Sequence, residues 1–391
     1  MPQGYADFQF RLLVCSPVAA DSPFESDTLW GRILCALFDG ADTEQPLAQS
    51  WVDDLQVQAK ARDPKWQAPL IVSEGFQCDA KGEPWLPLPL AIGRELQSAE
   101  RKSAAAVPHP EGASASHEPS RKDLKKVGWV PLSLFRDLCR GKRPDPSELI
   151  QLQKRRPRTE PVLRPHLGMN RAAGTSLEGL FYMIALDVYG VPEPPSPSGE
   201  APQPERLALP EITFFLKLRQ DVNAGLIESA LKRVCDEGWG RAKSRGLGHI
   251  RFKSFEPWAE EEATDDQDCF VSLSYFCPSR TDPTEGCWKL EPKHPVPPQF
   301  VDGRRVALGA GAERAKSFLR LTAGSCFRLG DHERMQHYGR MLTGLLDPAR
   351  DGDGNDLPEL FHYALAYPWP MRWPLHQPSL NGSDCGKRAM P

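Results

Sequence analysis

A segment rich in glycine and cations, residues 236–248, has the composition of a phosphate-binding loop. It reads DEGWGRAKSRGLG and holds four glycines and three cations. Glycine permits positive φ and close approach, so free N–H groups could face phosphate while Arg and Lys supply positive charge. The alternative is a flexible turn whose basic residues are only solvated. From these residues alone, both interpretations stay open.

A second polar segment carries His166, with Arg164, Asn170 and Arg171 close to it in sequence. Metal-free RNA cleavage uses histidine as a general acid or base, and neighbouring cations would contact phosphate. The alternative, which we favour, is a loop histidine that hydrogen-bonds locally or stacks on a base. His249, directly after the glycine-rich segment, allows the same two interpretations.

Two further features allow a functional and a structural interpretation. Trp239 stands between two glycines. It could stack on a nucleobase, a contact worth about 1–3 kcal/mol per base in single-strand binders, or it could anchor the loop to the core. The basic run at 154–158, KRRPR, could clamp a nucleic-acid backbone or be a solvated surface.

Familiar catalytic and metal-binding patterns are absent from the sequence. There is no GxxxxGK[ST] phosphate loop, no HExxH and no GxSxG motif. The acidic turn at 351–356 resembles a calcium loop but has Asp356 where glycine is needed and His362 where glutamate is needed. Cys269, Cys277 and Cys287 have no histidine at zinc-finger spacing. We therefore predict no metal and no cofactor.

Composition narrows the class of protein. The chain has 391 residues, enough for two domains, and a net charge of −4, so a nucleic-acid partner must be argued from local patches. Acidic residues concentrate at 256–268 and basic ones at 154–158. The ten cysteines include no CxxC pair, which favours reduced thiols in a cytoplasmic protein. We expect no signal peptide and no membrane span.

Hydrophobic periodicity predicts the elements that position these residues. A strand at 8–14 precedes a helix that Ser26 or Asp27 can cap and Gly40 ends, and the same strand–helix pattern recurs at 212–218 and 221–234. A strand through 250–255 follows the glycine-rich segment. Further predicted elements are a short helix at 132–138, an extended piece at 85–89, a buried strand at 179–188, and strands at 69–72, 270–276, 322–329 and 361–366.

The repeated pattern predicts an α+β fold with two ferredoxin-like (RRM-like) domains. The predicted N-terminal domain spans 1–190 and contains a disordered insertion near 98–120. A Pro/Ser-rich linker at 191–206 leads to a C-terminal domain at 207–375, which carries the glycine-rich loop. Residues 376–391 form a tail.

Five segments, in order along the chain, resemble motifs of the RAMP superfamily of CRISPR proteins. Within it, they are most similar to the 5′-handle-capping subunit of type III (Csm-type) effector complexes. The segments are SDTLWGR at 26–32, SEGF at 73–76 with LPLP at 86–89, NRAAGTSLEGLFY at 170–182, GWGRAKSRGLG at 238–248 and AGSCF at 323–327.

The resemblance implies a non-catalytic RNA-binding subunit that holds the repeat-derived 5′ handle of a guide RNA and caps the backbone filament. Its implied partners are the guide RNA, a large polymerase/cyclase-like subunit, a backbone RAMP subunit and, indirectly, target RNA, with no membrane. A protein can bind a constant handle through its shape and its phosphates. The variable guide region is instead recognised by base pairing, so this division fits the implied role. The implied RNA-binding residues are Ser26, Asp27, Arg32, His166, Asn170, Arg171, Thr175, Ser176, Gly238, Trp239, Gly240, Arg241, Lys243, Ser244, Arg245, Gly246 and Gly248.

Alternatives remain at this point. Asp27 could be only a helix cap, and Arg32 a structural ion pair. Some RAMP relatives are metal-independent endoribonucleases that process guide-RNA precursors, and His166, His249 or Tyr182 would then take part in proton transfer. A general single-strand RNA binder outside CRISPR is the third function.

Overall fold

A computed structural model describes residues 4–40, 44–61, 66–96, 121–170, 175–190, 209–259, 266–295, 300–301, 304–305, 316–345 and 361–374. The predicted insertion at 98–120, the linker at 191–206, the acidic turn at 351–356 and the tail lie outside the described residues, as does part of the acidic run at 256–268.

The helices are α1 (Ser26–Phe38), α2 (Gln45–Ala61), α3 (described over 90–96), α4 (Arg121–Leu124), α5 (Leu132–Cys139), α6 (Pro146–Gln153) and α7 (Ala224–Glu237). The strands in the first half are β1 (Tyr5–Val14), β2 (Val18–Ala19), β3 (Leu70–Val72), β4 (Phe76–Gln77), β5 (Trp85–Pro87), β6 (Trp129–Pro131), β7 (Arg158–Asn170) and β8 (Thr175–Gly190). Those in the second half are β9 (Glu211–Arg219), β10 (Ile250–Pro257), β11 (Cys269–Ser272), β12 (Gly286–Cys287), β13 (Leu290–Lys293), β14 (Phe300–Val301), β15 (Arg304–Arg305), β16 (Phe318–Leu321), β17 (Cys326–Arg328), β18 (Tyr338–Gly339), β19 (Leu365–Ala366) and β20 (Pro368–Met371).

The central sheet has the antiparallel order β10-β1-β9-β3, with β4 also paired to β9. Helix α1 follows β1, and α7 follows β9. The units β1-α1-β3 and β9-α7-β10 thus interleave, which is the βαββαβ order of a ferredoxin-like sheet. The mixed α+β class is as predicted.

The two predicted ferredoxin-like domains are not confirmed, because the two strand–helix units share this one sheet. Strands β1 and β9 pair from Tyr5 opposite Arg219 to Leu13 opposite Glu211, so the sheet joins chain from both sides of the predicted linker. The physical reason is visible in β9, which is buried along almost its whole length. A strand with both faces and both edges covered lies inside a larger sheet and cannot open a small domain of its own.

Each face of the central sheet is covered by a different layer. On one face, Phe10 stacks with Phe214 at 5.9 Å, and the buried stripes of α1 and α7 lie on the same side. On the other face, Phe215 packs against Tyr367 at 6.4 Å and Trp369 at 6.0 Å. These last residues belong to a second sheet, of order β12-β17-β11-β20, and its connection from β19. One hydrophobic core therefore includes both sheets.

Strands β7 and β8 form a long antiparallel hairpin whose base is joined to the rest of the chain by β2. The sequence predicted a buried strand at 179–188. That prediction is wrong for Phe181, Tyr182 and Met183, which are 64%, 39% and 47% exposed. The run is apolar, but both of its faces lack a covering layer at these positions, which a local pattern does not reveal. Within the described residues, no helix combines the length and apolar composition that crossing a membrane requires.

Candidate nucleic-acid interface

The backbone of the glycine-rich loop repeatedly takes positive φ. Gly238, Gly240, Gly246 and Gly248 have φ of 78°, 72°, 78° and 66°, and Ala242 joins them at 59°. At Gly248, a Cβ atom would lie 1.8 Å from the Trp239 carbonyl oxygen, so a side chain has no room. Glycine is therefore needed here to shape the loop.

Three of these four glycines use their N–H groups for hydrogen bonds within the protein. The N–H groups of Gly238 and Gly246 donate to carbonyls within the helix end and the loop, and the Gly248 N–H donates to Pro17 O at 2.8 Å. These three donors hold the loop closed and are not free to face phosphate. Phosphate contact would fall to the side chains and to the Gly240 N–H, which has no backbone partner among the described residues.

Trp239 anchors the loop. Its side chain is fully buried, and Nε1 donates to the carbonyls of Ser22 at 3.0 Å and Pro23 at 3.2 Å. The ring packs against Phe24 at 4.8 Å and Phe214 at 6.1 Å. Of the two interpretations, the structure shows the anchor, because stacking on a nucleobase would require the ring to leave the core.

Arg32 fixes the entry to the loop from α1. It donates to the Gly238 carbonyl, pairs with Glu237 at 2.8 Å and lies 5.7 Å from the centre of the Trp239 ring. Of the two interpretations of Arg32, an RNA contact and a structural ion pair, the structure shows the ion pair. These contacts join residues about half the chain apart, so they hold the loop to the first helix.

The polar side chains of the loop are exposed. Arg241 pairs with Asp21, and both partners are largely exposed, so this pair contributes little stability. Lys243 and Ser244 have no ion pair or side-chain hydrogen bond to a described residue. Partial burial, with the nearby charge of Arg32, lowers the pKa of Lys243, and Glu237 only partly offsets this. A bound anion would favour the charged lysine.

Arg245 begins a stacked column that links the loop to the hairpin. Its guanidinium lies 5.4 Å from the centre of the Tyr182 ring, and His166 stacks on Tyr182 at 5.4 Å with 13° between the planes. His166 and Tyr182 are direct cross-strand partners in β7 and β8. His166 Nε2 is buried and has no hydrogen-bond partner among the described residues. The column therefore brings a cation and two rings together, with the unpaired ring nitrogen of His166 buried beside them.

The segment from Pro17 to Pro23 holds the loop and the hairpin together. On one side it accepts hydrogen bonds from Gly248 and Trp239. On the other, β2 pairs with β8, and the Ala20 N–H donates to Ala185 O at 3.0 Å. The loop cations and the His166–Tyr182 stack are thus parts of one interface.

Other predicted residues lie elsewhere. Asn170 ends β7, and Thr175 and Ser176 begin β8, at the far end of the hairpin; Arg171 is outside the described residues. Along an extended strand, four residues beyond His166 correspond to roughly 13 Å. His249 is exposed, and its backbone N–H donates a hydrogen bond to Ser16 Oγ at 2.8 Å. We find no contact that places it in the column.

Ser26 and Asp27 lie in a buried ionic cluster at the start of α1. Ser26 Oγ donates to Glu74 at 2.6 Å, while the Asp27 carboxylate lies 3.2 Å from Lys293 and 3.3 Å from His362 Nε2. Burial would raise the pKa of Asp27, but the charges of Lys293 and His362 prevail and lower it. The polar groups of both residues are thus engaged within the protein. Asp27 also accepts from the Thr28 N–H at 2.6 Å, and neither residue is the N-cap, which is Glu25.

Sequence reasoning missed two members of the interface. No sequence pattern indicates Asp21, and the sequence indicates Tyr182 only for proton transfer. Pairing of His166 with Tyr182 depends on the hairpin register, and pairing of Asp21 with Arg241 depends on the loop being folded back. No local pattern signals either contact. Within the described part of the chain, no group of three or more His, Cys, Asp or Glu residues could hold a metal ion.

Comparison with known proteins gives structural likenesses only, since no family model and no curated protein matches the chain. The chain is similar to a chain of the Csm1–Csm4 cassette in complex with pppApA, at 14% identity and a TM-score of 0.49, covering 95% of this chain and 100% of that one. It is also similar to a chain of the Csm3–Csm4 subcomplex in the type III-A CRISPR-Cas interference complex, at 13% identity, a TM-score of 0.48 and 94% and 99% coverage. A chain of the type III-B Cmr-beta complex bound to cognate target RNA and AMPPnP matches at 10% identity, a TM-score of 0.37 and 82% and 86% coverage. Because each TM-score lies below 0.5, we conclude no family membership from these likenesses.

Proposed function

We propose that this chain is a non-catalytic RNA-binding subunit of a type III CRISPR effector complex that holds the 5′ repeat-derived handle of the guide RNA. One observation carries the RNA site. The glycine-rich loop is pinned by a buried tryptophan while Lys243, Ser244 and Arg245 stay exposed beside the His166–Tyr182 stack.

The geometry supports a binding loop over a merely solvated turn. A flexible turn needs no buried anchor, yet Trp239 and Arg32 both fix this one. It also holds Ala242 in the left-handed region, a conformation that costs about 1–3 kcal/mol and clusters at ligand-binding sites. A rigid loop of this kind presents its cations without losing much conformational entropy when RNA binds.

The wider role follows from the motif resemblance. A handle common to every guide can be held through phosphates and a few stacked bases, and the interface offers both kinds of contact. In this role the chain would cap the backbone filament of RAMP subunits and dock the large polymerase/cyclase-like subunit. The second candidate, a metal-independent endoribonuclease, is favoured only by the free Nε2 of His166 beside Tyr182.

The proposal is tested by replacing Lys243 and Arg245 with alanine together. The probe is a short single-stranded RNA with a repeat-derived 5′ end, titrated at several salt concentrations. Since each lost phosphate contact reduces the salt slope by about 0.7 for single strands, the double variant should show a slope smaller by about 1.4, with weaker binding. The matched control replaces Lys81 and Arg280, exposed cations outside the interface, and should behave as the unmodified chain.

Two results would overturn the proposal. Unchanged affinity and salt slope in the Lys243/Arg245 variant would remove the loop from the RNA site. The same titration samples, kept in chelator, should contain intact RNA. Cleavage that disappears in His166→Ala would replace the binding role with the endoribonuclease.

A further inference from the structure

A row of cations without acidic partners leads away from the interface along the hairpin. It comprises Lys154 and Arg155 after α6, Arg156, and then Arg158 and Arg164 on β7; we call these five residues the basic track. The side chains of these five residues form no ion pair and no hydrogen bond with a described residue. Four are exposed, and Arg156 is partly buried.

Three cations that lie between α4 and α6 in the sequence, outside the track, are paired. Lys126 lies 3.0 Å from Asp123, Lys142 lies 2.7 Å from Asp137, and Arg143 lies 2.6 Å from Glu95. Acids thus compensate these three cations, whereas the cations of the track have no acidic partner among the described residues.

Arg156 is the least expected member of the track. Its guanidinium lies 4.9 Å from the centre of the Trp129 ring, and burial lowers its pKa, with no acid nearby to oppose that effect. A partly desolvated cation without a counter-charge is unfavourable, and an anion brought by a ligand would compensate it.

The hairpin register connects the track with the stacked column. Side chains alternate between the two faces of a strand, so Arg158, Arg164 and His166 share one face of β7. His166 is the cross-strand partner of Tyr182, over which Arg245 of the glycine-rich loop lies. From His166 back to Arg158 the strand covers roughly 26 Å. The track therefore begins where the loop interface ends.

We propose that the basic track binds the sugar–phosphate backbone of single-stranded RNA that continues from the glycine-rich loop. This inference rests on the proposed RNA-binding function and extends its site by a second, sequence-independent contact. Phosphate is the ligand because the track offers unpaired Arg and Lys in a row and no donor–acceptor pattern that would read a base. In this proposal the Trp129 ring packs against the Arg156 guanidinium and does not stack on a base.

One acid interrupts the track and supplies an independent check. Glu160 is exposed and shares the face of Arg158 and Arg164, between them on β7. A carboxylate beside a bound phosphate repels it. Glu160→Gln should therefore strengthen RNA binding, whereas it should have no effect if RNA does not cross this face.

The main test replaces Lys154 and Arg155 with alanine in the full chain. Both side chains are exposed, so folding should be unaffected. The probe is an RNA with the repeat-derived 5′ end followed by a single-stranded guide region. Losing two phosphate contacts should reduce the salt slope by about 1.4, so that between 50 and 200 mM salt the variant loses about sevenfold less affinity than the unmodified chain. The control Lys142→Ala with Arg143→Ala removes two nearby cations that are already paired, and should leave the slope unchanged.

The outcomes separate this inference from the proposed function. If the Lys243/Arg245 variant loses RNA affinity while the Lys154/Arg155 variant does not, the track is not an RNA contact and the loop site stands. If neither variant changes RNA binding, both the inference about the track and the proposed function fail. If the Lys154/Arg155 variant keeps RNA affinity but no longer binds another subunit of the complex, the track meets an acidic protein surface and the inference is overturned.

Discussion

At the scale of single residues, the glycines of the loop have unequal roles that their sequence does not show. Gly246 and Gly248 both have positive φ. A Cβ on Gly246 would meet nothing within 4 Å, whereas one on Gly248 would collide with the Trp239 backbone. Gly246 is required only because of its positive φ. Gly248 is required both because of its positive φ and because two segments of the chain lie too close together for a side chain.

We therefore expect Gly246→Ala and Gly248→Ala to differ in stability. Gly246→Ala should cost about 1–2 kcal/mol, the usual strain of a non-glycine residue in the left-handed region. Gly248→Ala should cost more, because the backbone of the loop at Trp239 must also move. Urea unfolding of both variants measures the difference. Equal losses would contradict the close approach at Gly248.

At the scale of elements, the hairpin carries the aromatic half of the interface. Strand β7 was not predicted, because Pro161 and Pro165 interrupt its sequence. The structure resolves this: β7 pairs only with β8 and is the outer strand of the order β2-β8-β7. Proline is tolerated on such an edge, since the missing N–H would have faced no partner strand. The helices α2 and α6 were also missed, whereas β1, α1, β9, α7 and β10 were predicted to within a few residues from their periodicity.

Tyr182 tests how the hairpin acts. Tyr182→Ala should weaken RNA binding, because it removes the ring between Arg245 and His166; Tyr182→Phe should preserve binding, because the stacking face remains. The side chain is half-exposed, so neither change should lower stability by more than about 1 kcal/mol. RNA titration and thermal unfolding of both variants check this. If Tyr182→Phe were as damaging as Tyr182→Ala, the hydroxyl and not the ring would be the functional group.

At the scale of the whole molecule, a buried ionic cluster joins the start of α1 to the C-terminal part of the chain. Glu74 accepts from Ser26 Oγ at 2.6 Å and from the Tyr275 N–H at 3.0 Å. The ionisable groups around it are Glu25, Asp27, Glu291, Lys293, Arg320 and His362. Burial, reinforced by the charge of Glu25, raises the pKa of Glu74 to about 8.

This shift predicts a pH dependence of stability. Between the ordinary glutamate pKa of 4.5 and the raised value of about 8, the folded protein keeps a proton on Glu74 that the unfolded chain has lost. The folded state binds more protons, so the contribution of Glu74 to stability falls as pH rises through this window. Glu74→Gln, which imitates the protonated group, should remove that fall. Its free energy of unfolding relative to the unmodified chain should therefore increase from pH 5 to pH 8 in urea titrations.

Other titrating groups do not obscure the comparison. Burial lowers the pKa of His337 to about 4 and that of His362 below its usual value. Because their pKa values are lowered, both histidines make stability rise with pH up to about 6.5. The unmodified chain and Glu74→Gln both contain them, so this contribution is common to the two proteins. His362 lies beside the altered cluster. A difference that stays flat across the window would mean that Glu74 is ionised in the folded protein.

The sequence by itself determined the local features of this protein: the periodic strands and helices, the glycine-rich loop and the segregation of its charge. These depend on residues a few positions apart, whose spacing can be read directly. Tertiary structure alone decided that both halves build one sheet, that Trp239 is an anchor and that Arg32 is bound to the loop. It also decided which cations are paired and which are free. Such outcomes depend on contacts between residues far apart in the sequence, 206 positions for Arg32 and Gly238, and burial follows from those contacts.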